Sequence, residues 1–533
     1  MKKHILSASL LAVSLSALLP WSMSAPWALA LGDTLSPLSV SASSATPSRE
    51  ATTSETLVVD NKGPTSLFPH FWEHMNGSGR AILSLREGYR NDLRACKSIF
   101  DLQYVRFHGI FHDEVGVYDE DKDGKPLYNF SYVDQIYDGL LENHVRPFVE
   151  LSFTPKKMAS KDMLHGFWYH PNVSPPKDPK KWGDFISAFV KHLVDRYGED
   201  EVSKWYFEVW NEPNLDFWGG DPHESTYYDL YDVTARAVKS VNSKLLVGGP
   251  ATAQAAWTGR FIDHCVKNNV PVDFVSTHVY GDDTAKDVFN TDETIPRASM
   301  VARAMKKVHD EVKASSRPNL PIIWSEFNAT YMNKPEVTDS AFMGPWLANH
   351  IKQADGLADE VSYWTFSDVF EEQGVVKKPF YGGYGLIAAG SIPKAAFNAF
   401  KLLHLLGSER LKVTPAAGPG LATKHADGNV AVAIWNYATP EESGAKKTIT
   451  VKLDDATPFK TAHVWRVNGE HGSSYDAWLK MGSPDFPTQD QLKSLRSAAK
   501  MDAPQVITLD GKNSDGLKFI LEPKELRLVE FRK

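Results

Sequence analysis

Past residue 65 the chain alternates between two hydrophobic rhythms. The first is short and continuous. Eight apolar runs, Phe71–Asn76, Tyr104–His108, Arg146–Ser152, Trp205–Asn211, Leu245–Gly249, Phe274–His278, Ile322–Phe327 and Ser362–Phe366, are mostly rich in Val, Ile, Phe, Tyr or Trp. Such runs predict strands. Several are apolar at successive positions, as in a parallel sheet covered on both faces. The second rhythm has the helical period of about 3.6 residues. Trp182, Phe185, Ile186, Phe189, Val190, Leu193 and Val194 fall on one stripe and predict a helix over Asp178–Gly198. Pro179 suits its first turn and Gly198 its end. Ala298, Val301, Ala302, Met305 and Val308 make a second stripe, over Pro296–Lys313. Eight strand–helix units between residues 66 and 404 predict an α/β fold, a (β/α)8 TIM barrel. An open doubly wound sheet would carry a glycine-rich phosphate turn after its first strand, and Gly77-Ser78-Gly79 is too short for one.

Beyond residue 405 the rhythm changes. Val430–Trp435, Thr448–Leu453, Ala462–Val467, Val506–Leu509, Leu517–Leu521 and Leu526–Phe531 are joined by Gly-, Asn- and Pro-containing turns. No helix of barrel length separates most of them. Residues 405–533 therefore predict an antiparallel β-sandwich, joined by the early strand Thr56–Asp60, which precedes the barrel.

The N-terminus changes the expected address. Lys2 and Lys3, the apolar run Ile5–Leu19 and Ala28-Leu29-Ala30 give residues 1–30 the pattern of a cleaved signal peptide. Pro20, Pro26 and the polar stretch that follows argue against an anchoring helix. The mature chain is then exported, to the periplasm or beyond the cell, with no membrane span. Residues 31–65 read as a flexible Ser-, Thr-, Ala- and Pro-rich leader plus the early strand. A net charge of −8 without a basic patch argues against nucleic acid. Cys96 and Cys265 are the two cysteines; they fall on outer helices of different barrel units, so no disulfide is expected. Asp119, Asp121, Asp123 and Gly124 match the opening of a calcium loop, but Phe130 stands where its bidentate Glu is required, so an acidic turn is expected. No zinc spacing of His or Cys is present, and neither metal nor cofactor is expected. Oligomeric state is not legible.

In a barrel the C-terminal strand ends build the active site. The fourth strand runs into Trp210-Asn211-Glu212-Pro213 and the seventh into Trp324-Ser325-Glu326-Phe327-Asn328. A charge at the end of an apolar strand is costly unless it is paired or used. Two carboxylates facing each other across a barrel mouth are what glycoside cleavage needs: one protonates the leaving oxygen, the other attacks the anomeric carbon or activates water. Their separation, which distinguishes retention from inversion, cannot be read from sequence. Glu212 is assigned the acid/base role, with Asn211 beside it to donate to a sugar 2-hydroxyl. Glu326 is then the nucleophile, and a nearby hydroxyl or His donor would keep it ionised.

The segment Trp205–Leu215, reading WYFEVWNEPNL, closely resembles the acid/base signature of glycoside hydrolase family 39, which contains β-xylosidases and α-L-iduronidases. Tyr104–Gly109, Pro147–Phe153, Pro175–Asp178, Trp364–Asp368 and Gly382–Leu386 resemble other segments of that family, so the likeness runs from about residue 65 to the end. The resemblance implies a retaining mechanism with Glu212 and Glu326 in the roles above. It further implies that His108 binds the glycone, that Asn211 contacts the 2-hydroxyl, and that His278 and Tyr280 sit beside the nucleophile. Glu371 and Glu372 resemble acids that hold sugar hydroxyls in the β-xylosidases. Phe153, Phe167 and Trp364 are expected as aromatic platforms.

The leading expectation is thus an exo-acting β-D-xylosidase that releases xylose from xylo-oligosaccharides. Other activities of the same family, arabinose-releasing, endo-acting or α-L-iduronidase, stand beside it. An iduronidase must bind a carboxylate, which two glutamates at the glycone would repel. A non-catalytic carbohydrate-binding protein is the alternative of another class, and the presence of both catalytic glutamates argues against it.

Overall fold

Asp178 shows how local sequence sets the barrel elements: its side chain accepts hydrogen bonds from the backbone N–H of Lys180 and Lys181 and caps the helix Pro179–Tyr197. That helix buries Trp182, Phe185, Ile186, Phe189, Val190 and Leu193 on one face. The second stripe forms the helix Arg297–Ala314, which begins directly after Pro296. A computed structural model describes residues 53–509 and 515–533. The signal-peptide reading of residues 1–30 lies outside those residues.

Eight parallel strands close into a barrel: β1 (Met75–Gly77), β2 (Tyr104–Phe107), β3 (Arg146–Glu150), β4 (Tyr206–Glu208), β5 (Leu246–Thr252), β6 (Phe274–Tyr280), β7 (Ile322–Asn328) and β8 (Glu360–Tyr363). Met75, Phe148, Phe274 and Ile323 plug it near the N-terminal strand ends. Each expected strand is present with shifted ends. β1 starts at Met75 because Phe71 and Trp72, although buried, lie in a turn. β4 stops early because Trp210 takes a left-handed φ of 73°.

The strands after residue 405 pair with Thr53–Asp60 in one continuous ten-stranded sheet that curls around its own core of Leu57, Val432, Val451, Phe519 and Phe531. The expected accessory β-domain is therefore there, with one departure. Thr53–Asp60 pairs antiparallel with Glu409–Thr414 but parallel with Lys447–Leu453. Its other face joins the barrel core: Trp435, Leu526 and Leu528 belong to the same buried cluster as Leu347 and Phe400 from the last two barrel helices. The helix Gln489–Ala498, which the hydrophobic pattern misses, begins with a capping box made by Thr488 and Gln491. Its Leu495, with Trp478, packs under Phe380 and Ile392 of the segment that follows β8.

Both cysteines are buried and unpaired. The acidic turn is a hairpin, in which Asp121 Oδ1 accepts from the N–H of Asp123 and of Lys125, each at 2.9 Å. Among the described residues no helix is long and apolar enough to cross a membrane.

Candidate active site

After β4 the chain turns through two left-handed residues, Trp210 (φ 73°) and Glu212 (φ 42°). Such backbone costs on the order of 1–3 kcal/mol per non-glycine residue and persists where the surroundings enforce it. Here the Glu212 N–H donates to Ala251 O at 2.8 Å and the Trp210 indole donates to Phe217 O at 2.8 Å. Glu326 sits in β7, and a register shift after Thr277 pairs His278 of β6 directly with it. The two glutamates line one cavity of about 400 Å³, together with His108, Asn211, Tyr280 and Trp364.

Beneath the cavity lies a fully buried cation. Arg106, in the middle of β2, donates to Glu208 Oε2 at 2.6 Å, Glu326 Oε1 at 2.7 Å and Asn211 Oδ1 at 2.9 Å, and lies 2.9 Å from Glu150 Oε2. An apolar strand tolerates this charge because each of its three nitrogens meets an acceptor, three of the four acceptors being glutamate oxygens. The bond to Asn211 also fixes that amide, leaving Nδ2 to donate into the cavity. The Tyr280 hydroxyl donates to the other Glu326 oxygen at 2.7 Å. Glu326 thus accepts one strong hydrogen bond on each oxygen.

Glu212 is held differently. Burial pushes its carboxyl up to about 7; His108 and Arg106 pull it down, while Glu150 and Asp216 push it up. Its Oε1 lies 3.0 Å from His278 Nδ1. Burial in turn drives His278 down to about 4, so this imidazole is neutral. His108 is the reverse: burial opposes its charge, but Glu150 at 2.7 Å raises it to about 9. His108 Nε2 stands 3.7 Å from Glu372 Oε1, and burial pushes Glu372 up to about 8. Trp364 closes the side wall, its ring 4.8 Å from that of His108. Gly77 makes room for it, since a Cβ there would lie 2.1 Å from the Trp364 ring.

The sequence model of Glycosyl hydrolases family 39 matches residues 56–514. The chain belongs to this family. A β-xylosidase from Geobacillus stearothermophilus is 39% identical over 479 residues, 87% of this chain and 93% of that one. A β-xylosidase from Caldicellulosiruptor saccharolyticus is 36% identical, over 81% and 88% of the two chains. The crystal structure of a monomeric β-xylosidase from Caulobacter crescentus superposes with a TM-score of 0.80 at 33% identity, covering 90% of this chain and 99% of that one. This family 39 protein is a glycosidase that hydrolyses O-glycosyl bonds.

Within that family 39 site, the residues singled out from sequence fall into two groups. His108, Phe167, Asn211, Glu212, Tyr280, Glu326, Trp364 and Glu372 line the cavity. Three do not. Glu371 faces away from it, held by Arg86 at 2.5 Å and Arg80 at 3.4 Å, so the expectation that it holds a sugar hydroxyl is corrected. Phe153 is fully buried behind His108 and edge-on to Trp210, and supports the wall instead of offering a ligand a face. His278 is also fully buried and touches Glu212, not the cavity.

Sequence reasoning missed Arg106, Glu150 and Glu208, although charges inside apolar strands were visible signals. It also missed the wall residues Phe217, Gln254, Asp283 and Tyr331, which come from loops without a distinguishing pattern, and Tyr384, which lies in the family-like segment Gly382–Leu386 but was given no role. Among the described residues two sets of side chains lie close enough to share an ion: Glu212 with His278 and Glu326, and His70 with Glu73 and His404. In the second, Glu73 accepts from His70 at 2.9 Å and from His404 at 2.8 Å.

Proposed function

We propose that this protein is a retaining, exo-acting β-D-xylosidase working by double displacement. In the first step a Glu326 oxygen attacks the anomeric carbon while Glu212 gives its proton to the departing glycosidic oxygen. A covalent xylosyl–Glu326 ester forms and the aglycone leaves as an alcohol. In the second step Glu212, now a carboxylate, takes a proton from water as its oxygen attacks the same carbon. Glu326 is released, Glu212 is protonated again, and xylose leaves with its β configuration.

One observation carries this reading. An oxygen of Glu212 and an oxygen of Glu326 lie within 4.8 Å of each other. Retaining enzymes hold their carboxyl groups roughly 5–5.5 Å apart, whereas inverting ones need roughly 6.5–9.5 Å to admit a water. The contrast in environment supports the division of roles, because an acid must hold a proton where a nucleophile must not. The choice of a neutral pentose rests on the likeness to β-xylosidases. Export, inferred from residues 1–30, belongs to the same proposal.

The test is a screen of 4-nitrophenyl glycosides followed by proton NMR of xylobiose hydrolysis. β-Xylose as the first product supports the reading. α-Xylose first, or turnover of polymer alone, contradicts it.

A further inference from the structure

A chain of hydrogen bonds runs away from Glu212 into the protein and ends on the buried cation. Glu212 Oε1 lies 3.0 Å from His278 Nδ1, and His278 Nε2 lies 3.1 Å from Ser325 Oγ. Ser325 Oγ lies 2.6 Å from Glu208 Oε1, and Glu208 Oε2 accepts from Arg106 Nε at 2.6 Å. Glu208, Ser325 and His278 are all fully buried. None of the three lines the cavity itself.

The protons in this chain can be placed. Glu208 is an acceptor at both oxygens, from Arg106 at Oε2 and from Ser325 at Oε1. Ser325 has one hydroxyl proton and two neighbours; the shorter contact, to Glu208, takes it. Ser325 Oγ must then accept from His278, which puts the imidazole proton on Nε2. The ring is neutral, because burial drives it far below the usual histidine range. Its Nδ1 is therefore a bare lone pair, 3.0 Å from Glu212, and only a Glu212 hydroxyl can fill that contact.

We propose that Ser325 and Glu208 are positioning residues that lock His278 as its Nε2–H tautomer, so that its Nδ1 accepts from Glu212 and keeps the acid loaded with its proton. This rests on Glu212 being the acid/base. No bond to these residues is made or broken. When the proton passes to the leaving oxygen, a carboxylate and a lone pair are left facing each other. That repulsion then favours return of a proton to Glu212 from the attacking water. Without Ser325 the ring is free to carry its proton on Nδ1 and to donate to a Glu212 carboxylate, which empties the acid near neutral pH.

Other groups act on the same site. Arg106 from β2 and His108 just after it favour the ionised form of Glu212, and Glu150 from β3 and Asp216 from the loop after β4 oppose it. Asp283, Glu372 and Tyr280 feel the Glu212 charge in return. Glu326 lies 3.7 Å from His278 Nδ1. Ser325→Ala leaves all of these in place, so its effect reports on the tautomer.

The experiment compares the full-length protein with Ser325→Ala, Ser325→Thr and Glu212→Gln. kcat/KM is followed against pH with xylobiose, which needs a proton on its leaving group, and with 2,4-dinitrophenyl β-xyloside, which does not. For Ser325→Ala the alkaline limb with xylobiose moves down by about one pH unit, about a tenfold loss on that limb. The dinitrophenyl reaction changes less than about twofold, and Ser325→Thr restores the limb. An alkaline limb that stays in place, or equal losses on both substrates, overturns the proposal. Should Ser325→Ala not fold, the ¹⁵N-imidazole spectrum of the unmodified protein decides, with the His278 signal assigned by its loss in His278→Gln. Protonation at Nε2 supports the lock, and protonation at Nδ1 overturns it. Glu212→Gln separates this idea from the one beneath it. If that variant loses both substrates equally, the acid assignment itself fails. If it loses xylobiose selectively while Ser325→Ala does not, only the lock fails.

Discussion

Arg106 and Glu326 meet at 2.7 Å on the cavity floor, a guanidinium with no exposure against a carboxyl group that lines the cavity. The same guanidinium ties Glu208 and Asn211 to it, so β2, β4 and β7 share one charge network. Breaking a buried pair by removing one partner costs about 3–5 kcal/mol, because the other charge is left without compensation. Arg106→Met should therefore lower Tm by several degrees and abolish turnover. Arg106→Lys, a point charge without the planar fork, should fold better yet stay strongly impaired. Thermal denaturation beside kcat/KM checks both; an active Arg106→Met would remove the network from the account.

If Glu212 is the proposed acid, it sets the alkaline limb. Its carboxyl is pushed up to about 7 by burial, so it carries a proton below that pH and loses it above. Activity that needs the proton should fall as pH rises through about 7. Glu212→Gln should cost about 10²–10⁴-fold with xylobiose, the range for general acid catalysis. With Glu212→Ala, added azide should enter from the water side and yield the β-xylosyl azide, detectable by NMR.

Glu371 and Glu372 adjoin in sequence and have different fates. Glu372 lines the cavity, whereas Glu371 pairs with Arg86 and Arg80. Glu372→Ala should lower kcat/KM at least about fivefold, since leaving a buried sugar hydroxyl without its partner costs about 1–3 kcal/mol. Glu371→Gln should change it less than about threefold and show its effect in Tm. Equal kinetic losses would restore Glu371 to the sugar site.

Lys394 is fully buried between Asp339 at 2.6 Å and Asp368 at 2.7 Å. Those carboxylates also accept from the N–H of Gly382 and Gly385, on either side of the segment that carries Tyr384 to the cavity wall. Lys394→Met should cost about 3–5 kcal/mol by stranding both charges. Chemical denaturation measures it, and a cost below about 1 kcal/mol would contradict the buried-pair argument.

The barrel was legible because parallel strands buried on both faces and amphipathic helices leave distinct periods, as at Arg146–Glu150 and Pro179–Tyr197. Glu212 and Glu326 were legible because a carboxylate ending an apolar strand stands out. Arg106 lies inside its strand, and Glu150 and Glu208, which end theirs, fell inside the longer expected runs Arg146–Ser152 and Trp205–Asn211, so attention to the expected ends passed over all three. Glu371 could not be told from Glu372, since the arginines that turn it away lie 285 and 291 positions distant. Phe153 was misread because a hydrophobic residue at a strand end can face the wall as readily as the cavity. The parallel partner of Thr53–Asp60 is set by long-range pairing that no local pattern encodes.

The central claim is that Glu326 forms the covalent bond to the sugar. Incubation with 2-deoxy-2-fluoro-β-D-xylosyl fluoride, proteolysis and mass spectrometry test it most directly. A fluoroxylosyl adduct on the peptide spanning Ile322–Asn328, located at Glu326, is the predicted result. Rapid inactivation with the label on another residue, or turnover of the reagent without any adduct, would contradict it.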